Sequence, residues 1–169
     1  MTIIVMLILL AAAGWIQSLF PPLMMLSQAR PPLLAAVVVF YAVYFPTPVM
    51  VTAALLGGIL YDANSLLPLG VSALYYCIAG GIIHNHQPFW AEGGGLSVAV
   101  LTALTAAGQP LIMLFTEMTV WDRADGVPGG WMRQLFAVAV MGLLAGLVTI
   151  RVAIRLHRMT GTLEEVVNP

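Results

Sequence analysis

Few residues in this chain carry side chains able to do chemistry, and most of those stand alone. His84 and His86 offer two imidazoles to a metal, yet positions i and i+2 do not share a helix face, and no third or fourth ligand stands near them. Cys77, the only cysteine, lies in an apolar run. It can form neither an internal disulfide nor half of a paired-cysteine zinc motif, and it reads as a small packing residue. Glu92 and Glu117 fall near the ends of apolar segments, where water solvates them. There is no Ser, His and Asp set in a recognisable local motif, no glycine-rich phosphate loop, and no His–Glu pairing on a shared helix face. The sequence therefore predicts no catalytic residue, no bound metal and no cofactor.

Asp62 is the exception, set in GGILYDANSLLPLG (57–70) between two apolar runs. Ala54, Gly58 and Asp62 recur at i, i+4, i+8, so two small residues lead along one helix face to a carboxylate. Two readings stand side by side. In one, Asp62 is an ionisable group at membrane depth that orders a loop, binds a cation or contacts a partner. In the other, it marks a helix end, with Asp62, Asn64 and Ser65 capping the start of the next segment. A loop position costs a charge far less than the roughly 3 kcal/mol of a helix centre, so energy does not separate them.

The elements that hold these residues follow from composition. Of 169 residues, 61% are hydrophobic and 8% charged, against about a quarter charged in soluble domains. This composition is that of an integral membrane protein. Six Arg, no Lys and a net charge of -1 leave no broad basic surface for nucleic-acid phosphates. The N-terminal MTIIVMLILLAAAGW has no positive n-region before its apolar run, so despite its small-residue AAAG it reads as a first membrane helix rather than a cleaved signal.

A crossing needs about 20 apolar residues, and Ile3 to Phe20 nearly supplies them before Pro21-Pro22. The stretch 31–61 carries no charge and would reach roughly 46 Å as one helix, too long for one crossing, so Pro46-Thr47-Pro48 divides it. Each half covers only ~22 Å, which requires thinned bilayer or a path lined by protein. Residues 67–83 make a fourth span, HNHQPFWAEGGG (84–95) a turn with Trp90 at the interface, and 96–119 a fifth span with a kink expected at Gln109-Pro110. Trp121 and Trp131 bracket a loop, and a sixth span runs from Met132 to Arg151 with its helix extending to Met159. The expected architecture is an all-α polytopic membrane domain of about six helices over 1–159, followed by a short cytoplasmic tail, 160–169.

Small residues also recur at i, i+4, i+8 as Ala73, Cys77 and Gly81, and Gly142 with Gly146 forms a GxxxG. These are read as packing faces, within the chain rather than between copies. Arg151, Arg155 and Arg158 share a face just after the last span. The positive-inside rule puts them, and with an even span count both termini, in the cytoplasm. Arg30, Arg123 and Arg133 then fall in external loops. The Arg face serves as a topology anchor that also suits a helix C-terminus, and it could grip anionic lipid.

With the spans in place, residues 31–83 resemble the rod-shape-determining protein MreD family. The resemblance is carried by chain length, an apolar run opened by proline, Gly58 with Asp62, and then Pro68 with Gly70 ahead of an aromatic-bearing helix at Leu74 to Tyr76. It implies that Asp62 sits at a signature turn, with Gly58, Pro68 and Gly70 as structural or partner-binding residues. It further implies a non-enzymatic scaffold of the bacterial inner membrane that binds the bitopic protein MreC. Through MreC the scaffold would reach MreB, RodA and a class B penicillin-binding transpeptidase. The family is similar in helix arrangement to the S-components of energy-coupling-factor transporters, so a vitamin-type binding subunit is the alternative. Against it stand few convergent polar groups, namely Gln17, Gln109 and Asp62.

Overall fold

The structure, a computed structural model, describes residues 1–19, 31–65, 68–120 and 131–161. Expectations for Phe20, Pro21-Pro22, Arg30, the 121–130 loop and the tail from 162 fall outside these residues, as do those for the side chains of Glu117 and Trp131. Seven helices follow in order: α1 (Thr2–Leu19), α2 (Leu33–Tyr44), α3 (Thr47–Ala63), α4 (Val71–Asn85), α5 (Gln87–Glu92), α6 (Gly94–Val120) and α7 (Trp131–Met159). The described residues contain no strand. Three helices, α1, α6 and α7, are long and apolar enough to cross a membrane; α2 and α3 are shorter apolar helices.

The molecule is apolar outside as well as inside. Ile4, Ile8 and Trp15 on α1, Leu104 and Phe115 on α6, and Phe136 and Val148 on α7 are all more than half exposed. In water such a surface would drive association; in a bilayer it meets its own kind of solvent.

The centre is α2. Every residue from Leu34 to Val43 is buried, and the helix packs against α1, α3, α4, α5, α6 and α7. Its 12 residues reach only about 18 Å, and this shortness has a physical resolution: protein surrounds it, so it has no hydrocarbon thickness to match. The sequence LLAAVVVFYAVY has no polar face because it needs none. Pro46 ends α2 and caps α3, while Pro48 occupies the first turn of α3, where a missing N–H costs nothing.

The 84–95 turn is corrected. Residues 87–92 form the helix α5, with Pro88 in the first turn and Gly93 as its C-cap. Proline there presets the helical φ instead of breaking the helix, and the half-buried Trp90 packs against the main core cluster. Pro110 lies inside α6 and does not end it.

Helix ends alternate between the two ends of the bundle. At one end Gln17 of α1 meets the start of α2, and the end of α3 meets the start of α4. At the other, α4's C-terminal His84 meets the α2–α3 turn, and the end of α7 meets α2.

Candidate functional site

Asp62 lies in the last turn of α3, where the negative end of that helix disfavours a carboxylate. It is nonetheless 2% exposed, the one buried carboxylate among the described residues. Its side chain reaches the start of α4. The Gly70 N–H donates to Oδ2 at 2.7 Å, and the Ser72 N–H donates to both oxygens at 3.2 Å. These are two of the orphan amides that every helix start presents, and the positive end of α4 offsets the unfavourable end of α3. The carboxylate is therefore an N-cap supplied from another helix.

Gly70 makes this geometry possible. Its φ of 102° is a conformation that L side chains rarely adopt, and it turns the chain so that its own N–H and that of Ser72 converge on one carboxylate. Pro68 sits two residues earlier, and its carbonyl accepts from the Val71 N–H at 3.4 Å. The Asn64 amide donates to the Leu60 carbonyl at 2.7 Å, and the Ser65 hydroxyl donates to the Asp62 carbonyl at 3.3 Å, so both satisfy the carbonyl end of α3.

Below the cap, α3 and α4 touch backbone to backbone. A Cβ at Gly58 would stand 2.7 Å from the Ser72 carbonyl carbon and nearer still to the backbone of Ala73. Ala54 and Ala73 are both buried along this contact. The Ala73, Cys77, Gly81 stripe is corrected. The buried face of α4 runs through Ser72, Ala73, Tyr76, Gly80 and Ile83, whereas Cys77 is only half-buried and a Cβ at Gly81 would meet nothing within 4 Å. Gly80 is the close-packed glycine, facing the sulfur of Met50.

A second glycine contact joins α6 and α7. A Cβ at Gly146 would stand 2.6 Å from the Ala99 Cα, and one at Gly142 would stand 2.9 Å from the Ala103 Cα. The GxxxG is thus occupied within the chain.

The two histidines of HNH separate. His84 bridges helices, with Nδ1 3.1 Å from the Ala42 carbonyl and Nε2 3.0 Å from the Thr47 hydroxyl, while His86 is exposed at the end of α4. Among the described residues no three His, Cys, Asp or Glu side chains are grouped as metal ligands.

Some contacts escaped the sequence reading. His157 is fully buried among the rings of Phe40, Tyr41 and Phe45, with Nε2 2.9 Å from the Tyr41 hydroxyl. The available signal was helical spacing, since Ala153 and His157 share a face that Arg151, Arg155 and Arg158 avoid. Gln17 accepts from the Leu34 N–H at 3.2 Å, a second helix start capped from another helix. Tyr75 donates its hydroxyl to the Thr105 carbonyl at 2.7 Å, tying α4 to α6. Among the described residues, Ser72 Oγ, Tyr76 Oη and both side-chain amide atoms of Gln109 are buried without a well-formed hydrogen bond, although Tyr76 and Gln109 face each other.

The family model described as rod shape-determining protein MreD aligns with residues 1–120, which include α1 to α6 and the whole Asp62 cap. No curated protein and no solved structure matches the chain.

Proposed function

Because the chain belongs to the rod shape-determining MreD family, we propose that it is the inner-membrane scaffold of lateral peptidoglycan synthesis and works by binding an MreC-like bitopic protein. Family membership carries the role in rod shape and the membrane setting; the partner and the mechanism are the proposal. The observation that supports it most is how the buried carboxylate of Asp62 is used. Asp62 is spent on two backbone amides of α4, so the chain's most unusual polar residue builds a rigid α3–α4 pair instead of presenting chemistry. A scaffold needs such a fixed surface. Gly58, Pro68 and Gly70 act in the same unit, and partner binding depends on them through its shape. MreB, RodA and a class B transpeptidase are reached through the partner.

In this reading the Arg151, Arg155, Arg158 end of α7 and both termini face the cytoplasm, and the Asp62 end faces outward. Residues 1–159 act as one membrane domain. A cytoplasmic reporter fused after Pro169 should be active and a periplasmic one silent.

The test is purification of the tagged chain from its native membranes in gentle detergent, with mass spectrometry of the proteins that accompany it. Recovery of an MreC-like protein with wall-synthesis enzymes is the expected result. Recovery of a transporter ATPase and its coupling subunit would overturn the scaffold reading.

One observation favours a second reading, a small-molecule-binding subunit like the S-components of energy-coupling-factor transporters. The Tyr76 hydroxyl and the Gln109 amide interact with each other in the buried interior, and with the Ser72 hydroxyl they leave hydrogen-bonding capacity that water or a polar ligand could meet. A vitamin panel that raises the melting temperature of the purified chain would support this reading; no shift across the panel would count against it.

A further inference from the structure

Where the α6–α7 pair reaches the start of α6, its close packing gives way to an open groove of about 650 Å³. The cause lies in the sequence. At Gly142 and Gly146 the two helices meet nearly backbone to backbone, but α6 begins at Gly94-Gly95, which supplies no side chain to continue the wall. Leu147, Ile150 and Ile154 of α7 form the apolar side, and the largely exposed Leu96 faces them from α6. Arg151, Arg155 and Arg158 line the same groove. All three are exposed, and among the described residues none is paired with a carboxylate. The nearest acidic residue on α5, Glu92, is exposed and does not line the groove.

We propose that this groove is a binding site for one anionic glycerophospholipid of the surrounding bilayer. The three arginines span about 10 Å along α7, and their guanidinium forks match phosphate oxygens bidentately. The volume lies within the range of small-molecule sites. The apolar wall decides the source of the phosphate. Val148 and Val152, both about half exposed beside the groove, join its wall to the hydrocarbon-facing surface of α7, so an acyl chain continues from the groove into the bilayer. A free phosphate would satisfy the arginines and leave the half-buried Leu147 and Ile154 facing water. A zwitterionic lipid would cover the apolar wall and bring a cation against three others. The site is independent of any protein partner, so it can fail or hold without bearing on the scaffold reading.

The test uses the full chain, delipidated in detergent, and native mass spectrometry with phosphatidylglycerol, phosphatidylcholine or inorganic phosphate added. Wild type should retain one phosphatidylglycerol under conditions that strip phosphatidylcholine, and millimolar phosphate should not displace it. The Arg151→Gln, Arg155→Gln, Arg158→Gln triple variant should lower occupancy at least tenfold, while Arg133→Gln, at the opposite end of α7, should leave it unchanged. Ile154→Trp, which keeps every arginine and fills the groove, should also lose the lipid, with thermal unfolding confirming that each variant is folded. Equal retention of phosphatidylglycerol by the triple variant, equal retention by the filled groove, or equal retention of the two lipids by wild type would each overturn the proposal. Displacement by phosphate alone would overturn the lipid as its ligand.

Discussion

The α3–α4 and α6–α7 contacts both bring glycines against a neighbouring backbone, yet they are locked differently. At α6–α7 the nearest atoms around Gly146 are one backbone carbon of Ala99 and the side chain of Thr102, so part of the contact can yield. At Gly58 all three nearest atoms belong to the backbone of Ser72 and Ala73, and none can move alone. The α3–α4 contact also ends in a charge-assisted cap, whereas α6–α7 opens into a groove. Small residues permit approach, and a directional polar contact then fixes which residues meet. The family match includes the first contact whole and stops before α7.

The largest effect should follow from one methyl group. Gly58→Ala is expected to cost about 3 kcal/mol, at the upper end for overpacking, because the helices must separate. Gly58→Leu should not accumulate as folded protein. Gly81→Ala, on the open side of α4, should leave the detergent melting temperature unchanged. If Gly58→Ala and Gly81→Ala melt alike, the backbone contact does not exist.

Asp62→Ala ranks next. It strands the buried amides of Gly70 and Ser72, and at roughly 1 to 3 kcal/mol for each stranded group the loss should be about 3 kcal/mol. Asp62→Asn keeps one acceptor and should lose about half of that, since the charge that answers the α4 dipole is gone. Both variants should insert into the membrane and co-purify less MreC-like partner. Undiminished co-purification by a destabilised Asp62→Ala would separate the α3–α4 unit from partner binding. Gly146→Ala should cost less than Gly58→Ala, about 2 kcal/mol, because only one of its three nearest atoms, the Ala99 Cα, is backbone and it stands farther off than the Ala73 backbone does from Gly58. A larger loss at Gly146 would reverse the ranking of the two contacts.

The differing legibility of these regions has physical causes. Proline breaks and apolar runs marked the long helices, because those residues act locally. The spacing of Ala54, Gly58 and Asp62 gave their shared face, and it could not decide what the carboxylate met. That answer lies eight and ten residues downstream, in the φ of Gly70. Small-residue spacing named Gly81 where Gly80 packs, since an apolar helix carries nothing that fixes its rotation before its neighbours are known. The uniform burial of α2 hid the Tyr41–His157 contact for the same reason: a helix without a polar face gives no sign of which side receives a partner 116 positions away.

The smallest effect tests whether α4 links the two contacts. The Tyr75 hydroxyl reaches the Thr105 carbonyl on α6, four residues before Gln109-Pro110, and it lies against Gly108, where a Cβ would also stand 2.8 Å from the Tyr75 Cζ. Tyr75→Phe alone should cost about 1 kcal/mol, the net worth of one hydrogen bond. Gly108→Ala alone should cost more, because the new methyl meets the hydroxyl first. Combined, the two substitutions should cost less than their sum, since removing the hydroxyl removes the nearest clash. Strict additivity in thermal unfolding would mean that Tyr75 and Gly108 do not touch, and α4 would then be held by α3 without a tie to α6.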